Sequence, residues 1–460
     1  MTDTLRPVDA VWLMMESDDT PMHVGVLATF RLPARGADQR LQQWAEGLRQ
    51  SREIVAPWNC RLADPALGQM LPRLLPDTDF DLDYHFRHTA LPAPGGEREL
   101  GVVVSRLHSQ ALDRNRPLWE LHLIEGLEGK RFALYLKIHH ALVDNVNAVP
   151  LVMSWLADSV RKRKQPPLWA QPIQSDEERA AGEGDLDALA MLRALSSMGQ
   201  ASTGFFRSVL RRNDDSSFLM SRATPRSTLN RRINSQRRFA TQQLSRARIE
   251  ALAKATDSTR NDILAYLCSS SLRRFFKEYN ALPDKSLIAG VPVSLAERSE
   301  SLPGNAIAGL RVELATHLGD PLARLAAIKR SMRAVREDRD SMPEAAATSY
   351  VMLRAAPVYA SQMPVLGRLV PPLSNLTISN TPMPGGKRYL EGATLEAIYP
   401  VSPLMQFAAL SIDCVAYDDV FNVGFTGARD TLPHLQRLAV YTGVALDDLE
   451  ALVAQERASA

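Results

Sequence analysis

An α/β or α+β protein of two domains is what this sequence predicts, and three observations predict it. Strand-like and helix-like periodicities occur in both halves of the chain, and 460 residues exceed what one ordinary core serves. A proline-rich and then charged stretch also interrupts the pattern before the middle. The expected partition is 1–165 and 239–460, joined by a linker with a helical segment over 166–238.

In the first part, Met22 to Leu32 and Trp119 to Ile124 have strand character, and Gly126-Leu127-Glu128-Gly129 turns the latter back into the run Phe132 to Ile138 as a hairpin. Successive strand side chains face opposite ways, so His139 and His140 at the end of that run cannot share one face. From Asp144 the spacing becomes helical, through Val146, Val149, Leu151, Val152, Trp155, Leu156 and Val160. The two histidines therefore stand in a short strand-to-helix connection, where functional groups are often found. Pro166, Pro167 and Pro172 break the pattern, Leu186 to Arg212 regains helical spacing, and an irregular stretch follows to about Arg238. The second part opens with Gln242 to Ala255 and a longer helix from about Asn261 to Tyr279. Asp320-Pro321 starts another helix, with Leu322, Leu325, Ile328, Met332 and Val335 on one face. Phe407 to Tyr417 and Val420 to Thr426 form a hairpin about Asp418-Asp419, and Pro433 to Val453 is a last amphipathic helix.

Composition narrows the function classes. A hydrophobic content of 45% with 23% charged residues is that of a soluble globular protein, and a net charge of +2 gives no support to a nucleic-acid partner. Cys60, Cys268 and Cys414 form no CxxC pair or disulfide framework, so a reducing compartment is expected. No leader-like N-terminus or spanning apolar run is present, which leads us to expect a cytoplasmic protein that can still sit on a membrane surface. There is no GxSxG elbow, GxGxxG, phosphate-cradling GxxxxGK[ST] or HExxH. No metal is expected at His139, His140 and Asp144, because adjacent strand residues diverge.

Ile138-His139-His140-Ala141-Leu142-Val143-Asp144-Asn145 resembles the HHxxxDG signature of CoA-dependent acyltransferases. Four further segments make the chain similar to the bacterial wax ester synthase/diacylglycerol acyltransferase family along nearly its whole length. They are Thr20-Pro21-Met22-His23-Val24-Gly25, Arg116-Pro117-Leu118-Trp119-Glu120, Asn261-Asp262-Ile263-Leu264, and Ser379-Asn380-Thr381-Pro382 with Pro384-Gly385. The resemblance implies two similar α/β sandwich domains of the chloramphenicol acetyltransferase type with an active-site tunnel between them. It also implies transfer of a long acyl group from acyl-CoA, as co-substrate without a further cofactor, to a fatty alcohol or diacylglycerol. Peripheral contact with the inner membrane surface or lipid inclusions follows from such an acceptor.

By this resemblance His140 is the general base, which a neutral imidazole can be at cytosolic pH. His139 packs beside it or orients it, and Asp144 pairs with Arg298 to hold the loop. Asn261 donates to a substrate oxygen or lines the site, although Asn261 and Asp262 also fit helix capping alone. Without a marked Ser or Cys nucleophile, direct transfer in a ternary complex is expected over an acyl-enzyme. Asn145 stands where the motif has Gly, and since Asn tolerates left-handed geometry, a conformational replacement is the expectation. If its side chain instead blocks turnover, the chain is a catalytically weak lipid-binding or inclusion-associated homologue. An acyltransferase acting on a carrier-bound substrate shares the His motif and fits the other segments less well. Arg222, Arg226, Arg231, Arg232, Arg237 and Arg238 read as a basic surface, and Arg207, Arg211 and Arg212 beside Phe205, Phe206, Val209 and Leu210 as an amphipathic surface helix. The apolar stretch Val351 to Pro372 suits core packing or the wall of an acyl site.

Overall fold

The computed structural model describes residues 3–459 apart from 34–36, 65–70, 163–164, 174–223, 295–306, 342–361, 363–371, 382 and 384. In chain order the strands are β1 (Asp3–Thr4), β2 (His23–Arg31), β3 (Cys60–Leu62), β4 (Arg73–Pro76), β5 (Phe86–Ala90), β6 (Trp119–Leu127), β7 (Arg131–His139), β8 (Arg237–Ser245), β9 (Ile288–Ser294), β10 (Ile307–Glu313), β11 (Leu376–Thr381), β12 (Tyr389–Leu390), β13 (Ala393–Val401), β14 (Leu410–Tyr417) and β15 (Val420–Ala428). Two six-stranded sheets result, ordered β12-β13-β2-β7-β6-β5 and β10-β9-β11-β14-β15-β8, with a small third sheet β1-β4-β3. The described helices are α1 (Pro7–Met15), α2 (Ala37–Arg49), α3 (Leu82–His85), α4 (Glu97–Ser109), α5 (Ala148–Trp155), α6 (Arg246–Ala255), α7 (Arg260–Glu278), α8 (Pro321–Ser341) and α9 (Gln436–Ser459).

The hairpin that ends in the histidines forms as expected, pairing Trp119 with Ile138 and Glu120 with Lys137, and a bulge between Ile124 and Leu127 precedes its turn. β7 is an inner strand paired with β2 and β6, and both its faces are buried as well. Phe132, Leu134, Leu136 and Ile138 enter one apolar cluster, while Ala133 and Tyr135 enter another with α4. The same alternation explains Gly25 on β2: a Cβ there would come within 2.7 Å of the Tyr135 ring, which lies across the strand. The second hairpin, β14 to β15, turns at Asp418 with φ +50°.

Some expected elements differ. The helix expected from Gln242 starts at Arg246, because Gln242 to Ser245 pair with β15 as the end of β8. α5 is confined to Ala148–Trp155, because residues 144–147 are taken up in a turn that Asp144 caps, and the chain is extended again at Leu156. Arg237, expected in an irregular basic stretch, begins β8 and is buried. The cap at Asp320 forms as expected, its carboxylate accepting from the Ala323 amide at 2.6 Å. Residues 186–212 and nearly all of 351–372 lie outside the described residues, as does Arg222.

The sheets are interlocked. β12 and β13, from the 239–460 stretch, complete the first sheet, with β13 antiparallel to β2 from Thr394↔Arg31 to Val401↔Gly25. β8, an edge strand of the second sheet, is covered by α4, whose Ser105 and Ser109 hydroxyls accept from the Phe239 and Arg237 amides at 2.8 Å each. β13 passes close to β15, where a Cβ on Gly424 would stand 2.6 Å from the Pro400 carbonyl oxygen. Because that neighbour is backbone, Gly424→Ala is expected to cost about 1–3 kcal/mol. Gly385→Ala, where an added Cβ meets nothing within 4 Å, serves as its control. Urea midpoints check this, and equal midpoints for the two variants would refute the close crossing.

Candidate active site

The strand-to-helix connection after β7 is fixed on both sides by backbone bonds. The His139 amide donates to Leu118 O and the His140 amide to Met22 O, each at 2.9 Å, while Leu142 and Val143 turn back onto His139 O. Both histidines are buried, His139 fully and His140 at 5% exposure. One face of α1 addresses them in turn. Trp12 stacks on the His140 ring with centroids 3.7 Å apart and planes inclined by 20°. Glu16, one helical turn on, brings Oε1 to 3.6 Å from His139 Nε2. At that distance the contact is electrostatic rather than an ordinary hydrogen bond.

The two imidazoles have different surroundings. His139 Nδ1 accepts from the Ala141 amide at 3.0 Å, so its proton belongs on Nε2, towards Glu16. Glu16 also accepts from the Met22 amide at 3.0 Å and lies 3.8 Å from Arg114. Burial opposes its ionisation, but His139, the Met22 amide and Arg114 together hold its carboxyl below the ordinary value. His140 has only its own backbone to counter burial. Burial first, and the neighbouring His139 second, push its pKa down to about 3, and its Nδ1 has no hydrogen-bond partner among the described residues. His140 is therefore a neutral imidazole over the whole cytosolic pH range, with its acceptor lone pair intact.

Asp144 is buried and caps the following turn. Its carboxylate accepts from the Asn147 amide at 2.7 Å and from Asn147 Nδ2 at 3.2 Å. Burial raises its pKa against these bonds, and Asp9 on α1 adds to the rise. Arg298 lies outside the described residues, so its pairing with Asp144 is not among the contacts. Asn145 corrects an expectation. It is absent from the residues with positive φ, so left-handed geometry is not what replaces the motif glycine. Its side chain reaches the other half instead, Nδ2 donating to Ser402 Oγ at 2.8 Å.

Asn261 lies at the start of α7, where its Oδ1 accepts from Asn380 Nδ2 at 2.8 Å. Asp262 completes a capping box with Thr259 and lies 3.6 Å from Arg336. Its partners are those of a cap. Along β11, Asn380 and Ser379 point to opposite faces, so Asn261 lies on the helix-covered side while Ser379 faces Asp413. No hydrogen bond joins Asn261 to the histidine loop among the described residues.

Behind the loop is a polar chain that the sequence reading missed. His23 pairs with His139 across β2 and β7, and its Nε2 donates to His108 O at 3.0 Å. His108 Nε2 donates to Ser402 O at 3.1 Å, which leaves Nδ1 to accept the Tyr135 hydroxyl at 2.7 Å. Lys137 is fully buried, with Nζ 3.0 Å from Glu120 and near the carbonyls of Leu107 and Gln110. Arg237 is the last correction. Its guanidinium is buried against the carbonyls of Asn234 and Asp19 and belongs to no basic surface, whereas Arg231 and Arg232 are exposed. Among the described residues no group of three or more His, Cys, Asp or Glu is arranged to hold a metal ion, and no helix is long and apolar enough to cross a membrane.

Comparison with known proteins gives the family and the fold. Residues 5–264 match the model of the wax ester synthase/diacylglycerol acyltransferase catalytic domain, and residues 303–450 match that of the WS/DGAT C-terminal domain. A Mycobacterium tuberculosis protein that bears a diacylglycerol O-acyltransferase name is 38% identical over 97% of each chain. A Mycobacterium bovis protein with a similar name is 37% identical over 97% of this chain and 98% of its own. The solved wax ester synthase/diacylglycerol acyltransferase from Marinobacter aquaeolei VT8 is 33% identical and superposes with a TM-score of 0.79 over 98% of this chain and 100% of that one. The first condensation domain of the calcium-dependent antibiotic synthetase, at 16% identity and a TM-score of 0.58 over 99% of this chain and 96% of its own, shares the fold.

Proposed function

The chain belongs to the wax ester synthase/diacylglycerol acyltransferase family and is an acyltransferase enzyme, and from that premise we propose that it moves a long acyl group from acyl-CoA to a fatty alcohol or a diacylglycerol, with His140 as general base. The observation that carries the reading is the contrast between the histidines. His139 is held by the Ala141 amide on Nδ1 and by the Glu16 carboxylate 3.6 Å from Nε2, too far for an ordinary hydrogen bond, whereas His140 is neutral and no side chain hydrogen-bonds its ring among the described residues.

His140 takes the acceptor hydroxyl proton as the oxygen attacks the thioester carbonyl, the carbon–sulfur bond breaks, and CoA departs as thiolate, which the imidazolium can then protonate. A pKa of about 3 makes His140 a weak base in the resting site. Negative charge developing on the carbonyl oxygen during attack raises it when the proton moves. Asn261 is exposed, bonds Asn380 on the other face of β11 from Asp413, and is left out of this step. Peripheral contact with a membrane or lipid inclusion belongs to the same proposal, supported by the exposed Arg231 and Arg232.

The test is thiol release from palmitoyl-CoA with a long-chain alcohol or a diacylglycerol carried in anionic vesicles, at low and high salt. Release with either acceptor, falling as salt detaches the protein from the vesicles, is expected. No release with either acceptor sinks the enzymatic reading in favour of the lipid-binding homologue. Release that ignores salt removes the electrostatic contact alone.

A further inference from the structure

We propose that Asp413 is a positioning residue, which through Asn145 ties the loop carrying His140 to the second sheet. The inference rests on the acyltransferase reading with His140 as base, and it concerns a carboxylate that no motif of the sequence includes. Asp413 lies on β14 with no exposed surface. Burying a carboxylate is costly unless its oxygens are satisfied. Here Ser379 Oγ donates at 2.6 Å and Ser411 Oγ at 2.9 Å; burial still pushes the carboxyl up, and Ser379, Ser402, Ser411 and Asn145 around it counter that rise. All four partners are neutral, and no Lys, Arg or His forms an ion pair with Asp413 among the described residues.

The origin of the four partners gives the carboxylate its role. Ser379 and Ser411 belong to the second sheet, on β11 and β14. Ser402 follows β13 of the first sheet, and its carbonyl also accepts from His108 of α4. Asn145 comes from the histidine loop five residues after His140 and bonds Ser402 Oγ as well. One buried group thus joins the two sheets and the catalytic loop. A glycine at position 145, as the motif has, could make neither contact. The side chain that breaks the motif is in this chain the fastening of the loop.

A reciprocal exchange tests it. Asn145→Asp removes the amide donor and sets a second carboxyl group at a junction where burial already disfavours charge. Asp413→Asn combined with it returns a single carboxylate to the same donors. The expected readings for Asn145→Asp are a kcat about tenfold or more below the parent with KM for palmitoyl-CoA within about twofold, and hydrogen exchange of the amides of residues 141–147 about tenfold faster. The exchanged pair should recover both to within about threefold of the parent. Losses that add in the double variant overturn the proposal. Should Asp413→Asn fail to fold, Asn145→Ala and Ser402→Ala are combined, and full additivity of their effects on loop exchange overturns it equally. Because exchange is read without turnover, the two ideas separate. A parent that releases no thiol, yet whose loop exchange responds to the swap, sinks the acyltransferase reading and leaves the tie. Thiol release with an unresponsive loop sinks the tie alone.

Discussion

Replacing His140 by alanine is expected to slow thiol release by about two to four decades, the usual loss when a general base is removed, while leaving the fold in place. The side chain makes one ring contact, with Trp12, and no hydrogen bond through Nδ1 among the described residues, so little of the fold depends on it. His139→Ala should behave in the opposite sense. It leaves the Ala141 amide without its acceptor and the buried Glu16 carboxylate without its imidazole neighbour, so stability falls more than chemistry does. Measuring kcat and the urea midpoint for both variants separates the roles. Parental activity in His140→Ala would eliminate it as the base, and a His139→Ala enzyme slower than His140→Ala at equal stability would exchange the assignments.

The histidine loop was legible because two independent patterns converge on it, a period of two that ends at His139 and a helical period that starts beyond Asp144. Its supports were much less so. Glu16 closes an apolar helix and is followed by Ser17, Asp18 and Asp19, a polar run that reads as solvent-facing, and only tertiary packing turns it towards His139. Asp413 and Ser411 alternate with Leu410, Ile412 and Cys414, which is the pattern of a strand with one wet face. In the folded chain that face meets the first half of the protein instead. A sequence period distinguishes two faces of a strand; it cannot say whether the polar one meets water or another layer. Arg237 was misread for the same reason, since a run of arginines looks alike whether it lines a surface or starts a covered edge strand. At Asn145 the tolerance of Asn for left-handed backbone points to conformation, whereas the fold uses the amide to reach Ser402.

The same ambiguity hid the ion pair for which the largest loss of stability is expected. Glu120 on β6 and Lys137 on β7 face each other in register within the first sheet, with Lys137 fully buried. Burial by itself would raise the Glu120 carboxyl, but hydrogen bonds from His122 and Lys137 outweigh it and hold the pKa at about 2. Burial pushes Lys137 down, yet its ammonium has a carboxylate and two carbonyls within 3.3 Å, and these keep its charge. Glu120→Ala strands that ammonium in the core and is expected to cost about 3–5 kcal/mol. Adding Lys137→Met should restore part of the loss, because the unpaired charge goes with it. The pH dependence has a definite sign. A carboxyl depressed from the ordinary 4.5 to about 2 gives stability that is complete above 4.5 and drains away as pH falls towards 2. The gap between parent and Glu120→Ala should therefore be widest near neutrality and narrow through that acid window, as urea unfolding at stepped pH would record. A gap that stayed constant down the series would mean that Glu120 is not ionised in the folded protein, and that Lys137 is held by its carbonyls alone.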